Sequence, residues 1–130
     1  MFVLDTNILS FFFKGMGNVA QNILSTMPQE IAIPAIVLFE LELGIQKSTS
    51  PDKRRALLKQ LTDLITIIPF GYDEAMMAAS IRAKLEKNGT PIGPYDVLIA
   101  ASALSGNHTL ITHNTSEFRR IEGLKIQDWF

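Results

Sequence analysis

Several acidic side chains stand in stretches that are otherwise apolar. Asp5 is the only charge in an apolar N-terminal stretch, Asp96 is isolated in a stretch rich in alanine and leucine, and Glu40 and Glu42 share a third. Carboxylates are almost never buried unless they are paired or bound to a metal ion. These acids are therefore the first candidates for chemistry.

A cluster of such carboxylates would favour a hard cation. Two carboxylates about 4 Å apart repel by roughly 4 kcal/mol at an effective dielectric constant near 20, so three or four together must take up protons or hold an ion. Oxygen ligands suit Mg²⁺ or Mn²⁺. Zinc is disfavoured, because the chain has no cysteine and its only histidines, His108 and His113, lack a partner at ligand spacing.

Each acid also has a purely structural interpretation. Asp5 can cap the helix that follows it, and Asp96 can complement the positive end of its own helix. At least one of Glu40 and Glu42 should be solvated, because residues two apart on a helix point in different directions.

The elements around these acids predict how they are positioned. Short apolar runs alternate with longer helical patterns, which indicates a parallel sheet covered by helices on both faces. The predicted strands are Phe2–Leu4, Ile31–Ile33, Leu64–Pro69, Thr109–Thr112 and Leu124–Gln127. The predicted helices are Asn7–Lys14, Val19–Thr26, Pro34–Gln46, Lys53–Asp63, Tyr72–Lys87, Gly93–Ser105 and Ser116–Arg120. Sites in such sheets lie beyond the carboxyl ends of the strands, where Asp5, Glu40, Asp96 and Glu117 can converge.

Bulk properties narrow the class of protein. The 130 residues, with 47% hydrophobic and 19% charged side chains, fit one globular domain spanning residues 1–130. The formal net charge is −1, so any nucleic-acid binding must come from local basic patches or from metal ions. No signal peptide or membrane span is recognisable, which predicts a soluble cytoplasmic protein without a membrane partner.

Four segments, taken in order, resemble a known family. They are Leu4–Asn7 (LDTN), Phe39–Gly44 (FELELG), Pro91–Asp96 (PIGPYD) and Thr112–Phe118 (THNTSEF). Together they look like the successive motifs of PIN-domain ribonuclease toxins, and most closely the VapC toxins of toxin–antitoxin modules, in the branch that cleaves initiator tRNA. The resemblance covers essentially the whole chain.

The resemblance implies an α/β fold with three α/β/α layers and a parallel sheet of about five strands. It implies a metal-dependent endoribonuclease, using Mg²⁺ or Mn²⁺, that hydrolyses phosphodiester bonds of RNA, in particular tRNA and by resemblance initiator tRNA. It also implies a homodimer and a VapB-type antitoxin that neutralises the enzyme.

The motifs assign roles to individual residues. Asp5, Glu40 and Asp96 match the metal-binding and catalytic acids, and Glu40 is preferred to Glu42 because it precedes Gly44 at the family's Glu-Leu-x-x-Gly spacing. Many relatives carry Asp at the position of Asn114. The closest branch has Asn there and Glu at the position of Glu117, so Glu117 is taken as the fourth catalytic and metal-binding acid.

Polar neighbours of the acids are candidates for contacts to substrate or to metal-bound water. They are Thr6, Asn7, Thr112 and Asn114, and a helix cap is an equally good interpretation for Asn7. Basic side chains that are candidates for RNA contacts are Lys14, Lys47, Arg82, Lys84, Lys87, Arg119 and Arg120.

Two other functional classes stay open at the level of sequence. The first is a non-catalytic PIN-like interaction domain that has kept the fold. The second is an Mg²⁺-dependent aspartyl phosphotransfer domain with Asp5 as phosphoryl acceptor, which is disfavoured because position 7 is Asn and no Lys follows the fourth strand.

Overall fold

Helices and strands alternate along the whole chain in the computed structural model, which describes residues 1–130. The strands are β1 (Phe2–Leu4), β2 (Ile31–Pro34), β3 (Thr66–Ile68), β4 (Thr109–Ile111) and β5 (Lys125–Gln127). The helices are α1 (Thr6–Lys14), α2 (Val19–Leu24), α3 (Ala35–Gln46), α4 (Pro51–Thr62), α5 (Tyr72–Lys87), α6 (Pro94–Ser105) and α7 (Thr115–Phe118). A single 3₁₀ turn, Pro28–Glu30, precedes β2.

The five strands form one parallel sheet in the order β3-β2-β1-β4-β5. Every residue of β2 is buried, as expected for a central parallel strand that is covered on both faces. The predicted three-layer α/β/α architecture with a five-stranded parallel sheet is therefore confirmed. The carboxyl ends of β1, β2 and β4, three neighbouring strands, meet at one edge of this sheet.

The core is one cluster of 25 buried apolar residues. Helix α6 contributes several of them, and its small side chains Ala100, Ala101 and Ala103 are fully buried. Because α6 is buried along most of its length, the position of its first turn, which carries Asp96, is fixed by packing.

The predicted elements all exist, although some boundaries differ. Pro34 was expected to open the third helix, but it ends β2 and its extended backbone, with ψ of 149°, caps α3 instead. Proline lacks an N–H, and its place at the end of the strand costs no helical hydrogen bond. The 3₁₀ turn before β2 was not predicted.

The C-terminal residues fold back on the body of the protein. Trp129 is only 9% exposed and packs against Phe2, with ring centroids 5.3 Å apart. Phe130 is more exposed and lies against Phe11 and His113. No helix in the structure combines the length and apolarity that crossing a bilayer requires.

Candidate active site

Asp5 lies directly after β1 and is buried, with 4% of its surface exposed. The parallel register pairs Leu4 with Ile111, so the next residues, Asp5 and Thr112, are neighbours at the sheet edge. The Thr112 hydroxyl donates to Oδ2 of Asp5 at 2.8 Å, and the Thr6 N–H donates to Oδ1 at 2.7 Å. Asp5 thus caps the helix, as its structural interpretation predicts, and it is also a buried carboxylate, the environment that makes it a candidate for chemistry.

Thr6 joins two acids. While its backbone N–H binds Asp5, its hydroxyl donates to Oε1 of Glu40 at 3.1 Å. Glu42 lies on another face of α3 and pairs with Arg55 at 2.7 Å. The preference for Glu40 over Glu42 at the site therefore agrees with the geometry.

Asp96 occupies the first turn of α6 and is half-buried without any hydrogen bond to a side chain or to the backbone. A Cβ atom built on Gly93, the residue before the helix, would lie 3.1 Å from Oδ2 of Asp96. Glycine at this position leaves space beside the carboxylate. Asp96 is the acid with the most freedom to take up a ligand.

The acids influence one another electrostatically. Burial, together with smaller contributions from the charges of Asp5 and Glu117, raises the pKa of Asp96 to about 6. Burial also raises the pKa values of Asp5 and Glu40, with a smaller contribution from the charge of Glu40 on Asp5 and of Asp96 on Glu40. The four predicted acids therefore belong to one electrostatic cluster, in which ionisation of Asp5, Glu40 and Asp96 is unfavourable without a counter-charge.

Asn114 and Glu117 complete this edge of the sheet. The Asn114 side-chain amide donates to Oε2 of Glu117 at 3.0 Å, and the Asn114 backbone N–H donates to the Thr112 hydroxyl at 3.0 Å. Thr112, which is fully buried, consequently links Asp5 to the loop that carries Glu117. The four predicted polar neighbours fall into two groups: Thr6, Thr112 and Asn114 bind the acids, whereas Asn7 does not.

The donor set fits a hard cation in its chemistry. It consists of carboxylate oxygens, and the buried Oδ1 of Asn7, two residues from Asp5, has no hydrogen-bond donor. A buried acceptor without a donor costs about 1–3 kcal/mol, so the Asn7 side chain would gain by turning towards a donor such as a metal-bound water. In their present rotamers, however, no three Asp, Glu or His side chains converge closely enough to share one ion.

Three of the seven basic candidates for RNA binding have partners elsewhere. Arg82 pairs with Glu86, Lys84 pairs with Glu122, and Arg120 donates to the carbonyl of Pro91. Lys14, by contrast, lies on a groove that begins beside Glu40. Lys53 and Arg54, which the sequence did not mark as candidates, line the same groove.

The His113 ring is held in place by a contact that the sequence did not predict. Its Nδ1 lies 2.8 Å from Oδ2 of Asp128, and the ring stacks on Phe130 at 4.4 Å between centroids. The His113 side chain is 43% exposed but has a carboxylate partner. The pairing depends on the C-terminal residues folding back, for which the local sequence around His113 carries no signal.

Comparison with known proteins identifies the family. The PIN domain family matches residues 2–124. Among characterised relatives, the tRNA(fMet)-specific endonuclease VapC of Salmonella typhimurium is 34% identical over 98% of this chain and 97% of its own length. Ribonuclease VapC2 of Rickettsia felis is also 34% identical, over 99% of this chain and 98% of its own.

Solved structures agree with this relationship. The fold is similar to VapBC2 from Rickettsia felis bound to a DNA fragment from its promoter, with a TM-score of 0.91, 34% identity and coverage of 99% and 98% of the two chains. It is equally similar to DNA-bound VapBC from Salmonella typhimurium, with a TM-score of 0.92, 33% identity and the same coverage. The chain belongs to the PIN-domain family, and within it to the VapC ribonucleases.

Proposed function

We propose that this protein is a metal-dependent endoribonuclease toxin, whose catalytic and metal-binding acids are Asp5, Glu40, Asp96 and Glu117. The observation that carries the proposal is the electrostatic cluster of these acids at the carboxyl edge of the sheet, where Asp96 has a pKa raised to about 6. Membership of the VapC ribonucleases gives the cluster its reaction, the hydrolysis of RNA phosphodiester bonds.

The four acids would hold Mg²⁺ or Mn²⁺. The ion, when bound, lowers the pKa of a coordinated water and offsets the charge that develops on the phosphate oxygens. Asp5 is the anchor, because two donors fix both of its oxygens. Since no three acids converge as they stand, we propose that the longer side chains, Glu40 and Glu117, change rotamer when the ion binds.

The protein's own residues hold the acids in place. Thr6 and Thr112 donate to the carboxylates and therefore favour their ionised, ligating form. Asn114 holds Glu117 by a neutral amide, which adds no negative charge to an already crowded cluster. Asn7 has an unpaired oxygen that is buried as it stands, and its side chain would have to turn towards the cluster to accept a hydrogen bond from a metal-bound water.

The substrate that we propose is tRNA, and specifically initiator tRNA, because the Salmonella relative is named for that activity. We also propose a VapB-type antitoxin as partner, since the similar structures are VapBC complexes, and a second copy of this chain as the other partner. Exposed apolar side chains on α3 and α6, among them Phe39, Leu43 and Tyr95, offer contact area for these associations.

Cleavage of a total tRNA pool tests the activity. The purified, antitoxin-free protein is incubated with the pool in Mg²⁺ or Mn²⁺, with EDTA and the variant Asp5→Asn as controls. Discrete cuts in one tRNA that both controls abolish would support the proposal and identify the substrate. No cutting of any RNA by folded protein would favour a non-catalytic PIN-like domain, and cutting that survives both controls would contradict the site assignment.

A further inference from the structure

A groove of about 450 Å³ leads away from the acid cluster between α1, α3 and α4. Thr6 and Glu40 stand at one end of it, beside the cluster. Lys14, Lys53 and Arg54 line it as well. The groove therefore carries one carboxylate, that of Glu40, and three cations, and a single ligand would have to interact favourably with both kinds of charge.

The three cations are free to bind a ligand. Lys14, Lys53 and Arg54 take part in none of the ion pairs of the molecule, although Arg55, the next residue along α4, pairs with Glu42 and Asp52. Lys53 and Arg54 also lie in the first turn of α4, near the positive end of the helix dipole, where cations are unfavourable. Their position is costly for the helix and favourable for an anion, which would be attracted by both the side chains and the dipole.

The side of the groove formed by α3 includes a glycine, Gly44, with open space beside it. Gly44 lies in the last turn of α3, where glycine still weakens the helix relative to alanine, yet a Cβ atom built on it would contact nothing within 4 Å. No packing constraint in the structure requires glycine there. Its absence of a side chain lets a ligand approach the backbone of α3 closely.

We propose that this groove binds the single-stranded segment of the RNA substrate next to the scissile bond, with Lys14, Lys53 and Arg54 contacting successive phosphates. The inference rests on the proposed function. An anionic ligand would extend to the Glu40 end of the groove only if one of its phosphates is cleaved at the acid cluster. A peptide rich in acidic residues would be repelled by Glu40, whereas a nucleic acid reaches that end through a metal ion.

The dimensions and the side chains suit a short strand. Thr6 and Lys14 are eight residues apart on α1, or about 12 Å along its axis. That length matches about three nucleotides at the stacked spacing of roughly 3.4 Å in a nucleic-acid strand. Phe13, 36% exposed, also lines the groove and offers a ring on which a base can stack.

RNA binding without cleavage separates this proposal from the proposed function. In an Asp5→Asn background, the affinity for a fluorescent twelve-nucleotide single-stranded RNA is measured by anisotropy in EDTA at several KCl concentrations. The test variant carries Lys14→Gln, Lys53→Gln and Arg54→Gln. The matched control removes the same net charge at exposed positions that do not line the groove, with Arg55→Gln, Lys59→Gln and Lys125→Gln.

We expect the groove variant to bind the RNA at least tenfold more weakly, with the slope of log Kd against log salt reduced by about 2, as for three lost phosphate contacts to a single strand. The control variant should stay within twofold of the parent protein. Phe13→Ala should weaken binding by roughly tenfold, and Phe13→Leu should weaken it similarly, because leucine restores apolar volume but no π-face.

Two results would overturn the proposal. Equal weakening by the groove and control variants would mean that only the net charge of the protein matters. Unchanged RNA binding by the groove variant would mean that the groove does not hold the RNA. If the same three substitutions, made in the active protein, also abolished inhibition of cleavage by the antitoxin, the groove would be assigned to the protein partner. Failure of the wild-type protein to cleave RNA would count against the proposed function and leave the binding result intact.

Discussion

Thr112 donates a hydrogen bond from its fully buried hydroxyl to Oδ2 of Asp5, at 2.8 Å and across 107 residues of sequence. The same hydroxyl accepts the backbone N–H of Asn114 at 3.0 Å. One side chain therefore orients the acid at the end of β1 and also fixes the loop after β4 that carries Glu117. The relationship follows from the pairing of β1 with β4, which brings the ends of the two strands together.

Thr112→Val should therefore impair both stability and catalysis. The valine leaves a buried N–H and a buried carboxylate oxygen without partners, which costs about 1–3 kcal/mol for each group. We expect a lower Tm and a drop of tenfold or more in kcat, measured by initial rates of RNA cleavage. Thr112→Ser keeps the hydroxyl and should retain most of the activity; a serine variant as impaired as the valine variant would show that packing alone is at work.

Glu40 and Glu42 provide a matched pair, two positions apart on α3. Glu40→Gln keeps a group that can accept the Thr6 hydroxyl but removes a ligand charge, so we expect initial rates in Mg²⁺ to fall by roughly a hundredfold or more. Glu42→Gln only breaks a surface pair with Arg55 and should leave the rate within twofold. Comparable losses in the two variants would show that Glu40 has no special role.

The raised pKa of Asp96 should make the metal-free protein sensitive to pH. Its folded pKa, about 6, lies above the ordinary value of 3.8, so the folded state holds the proton more tightly than the unfolded state does. The stability contribution of this group is then greatest at low pH and is lost as pH rises from about 4 through 6. Above that range the penalty for ionised Asp96 is fully present.

Asp96→Asn isolates this effect. The variant should melt at a higher temperature than wild type at pH 7 in EDTA, and the difference in Tm should shrink towards zero as pH falls to 4. Scanning calorimetry at several pH values measures it. A Tm difference that does not change with pH would mean that the asparagine acts through packing, and that the charge of Asp96 is not destabilising in the fold.

Much of the site could be anticipated from particular residues. Asp5 follows an apolar run and precedes a helix, so the alternation of strands and helices already placed it at the carboxyl edge. Thr112 ends the fourth predicted strand, and parallel pairing places it beside Asp5. The two-residue spacing of Glu40 and Glu42 on a helix showed that only one could face the site.

The remaining features depend on contacts between distant parts of the chain. The positions of Lys53 and Arg54 beside Lys14 arise because α4 packs on α3, and α3 in turn on α1. His113 meets Asp128 only because the C-terminal residues fold back. Neither relationship leaves a periodic signal in the sequence, and no local pattern fixes the rotamers of Glu40 and Glu117.

At Gly44, a side chain should stabilise the fold but weaken RNA binding in the groove. Gly44→Ala meets no atom within 4 Å and improves the helix propensity of α3, so we expect unfolding to become harder by about 0.5–1 kcal/mol in chemical denaturation. Gly17→Ala is the contrasting substitution: its φ is +62° and the new Cβ would lie 2.7 Å from the carbonyl oxygen of Phe130, so that variant should be destabilised. A bulky residue at position 44, such as Gly44→Phe, should keep the fold while weakening RNA binding, because its ring would project into the groove. If Gly44→Ala instead destabilised the protein, the glycine would have a packing role. Ligand access to the groove would then not be the reason for glycine at this position.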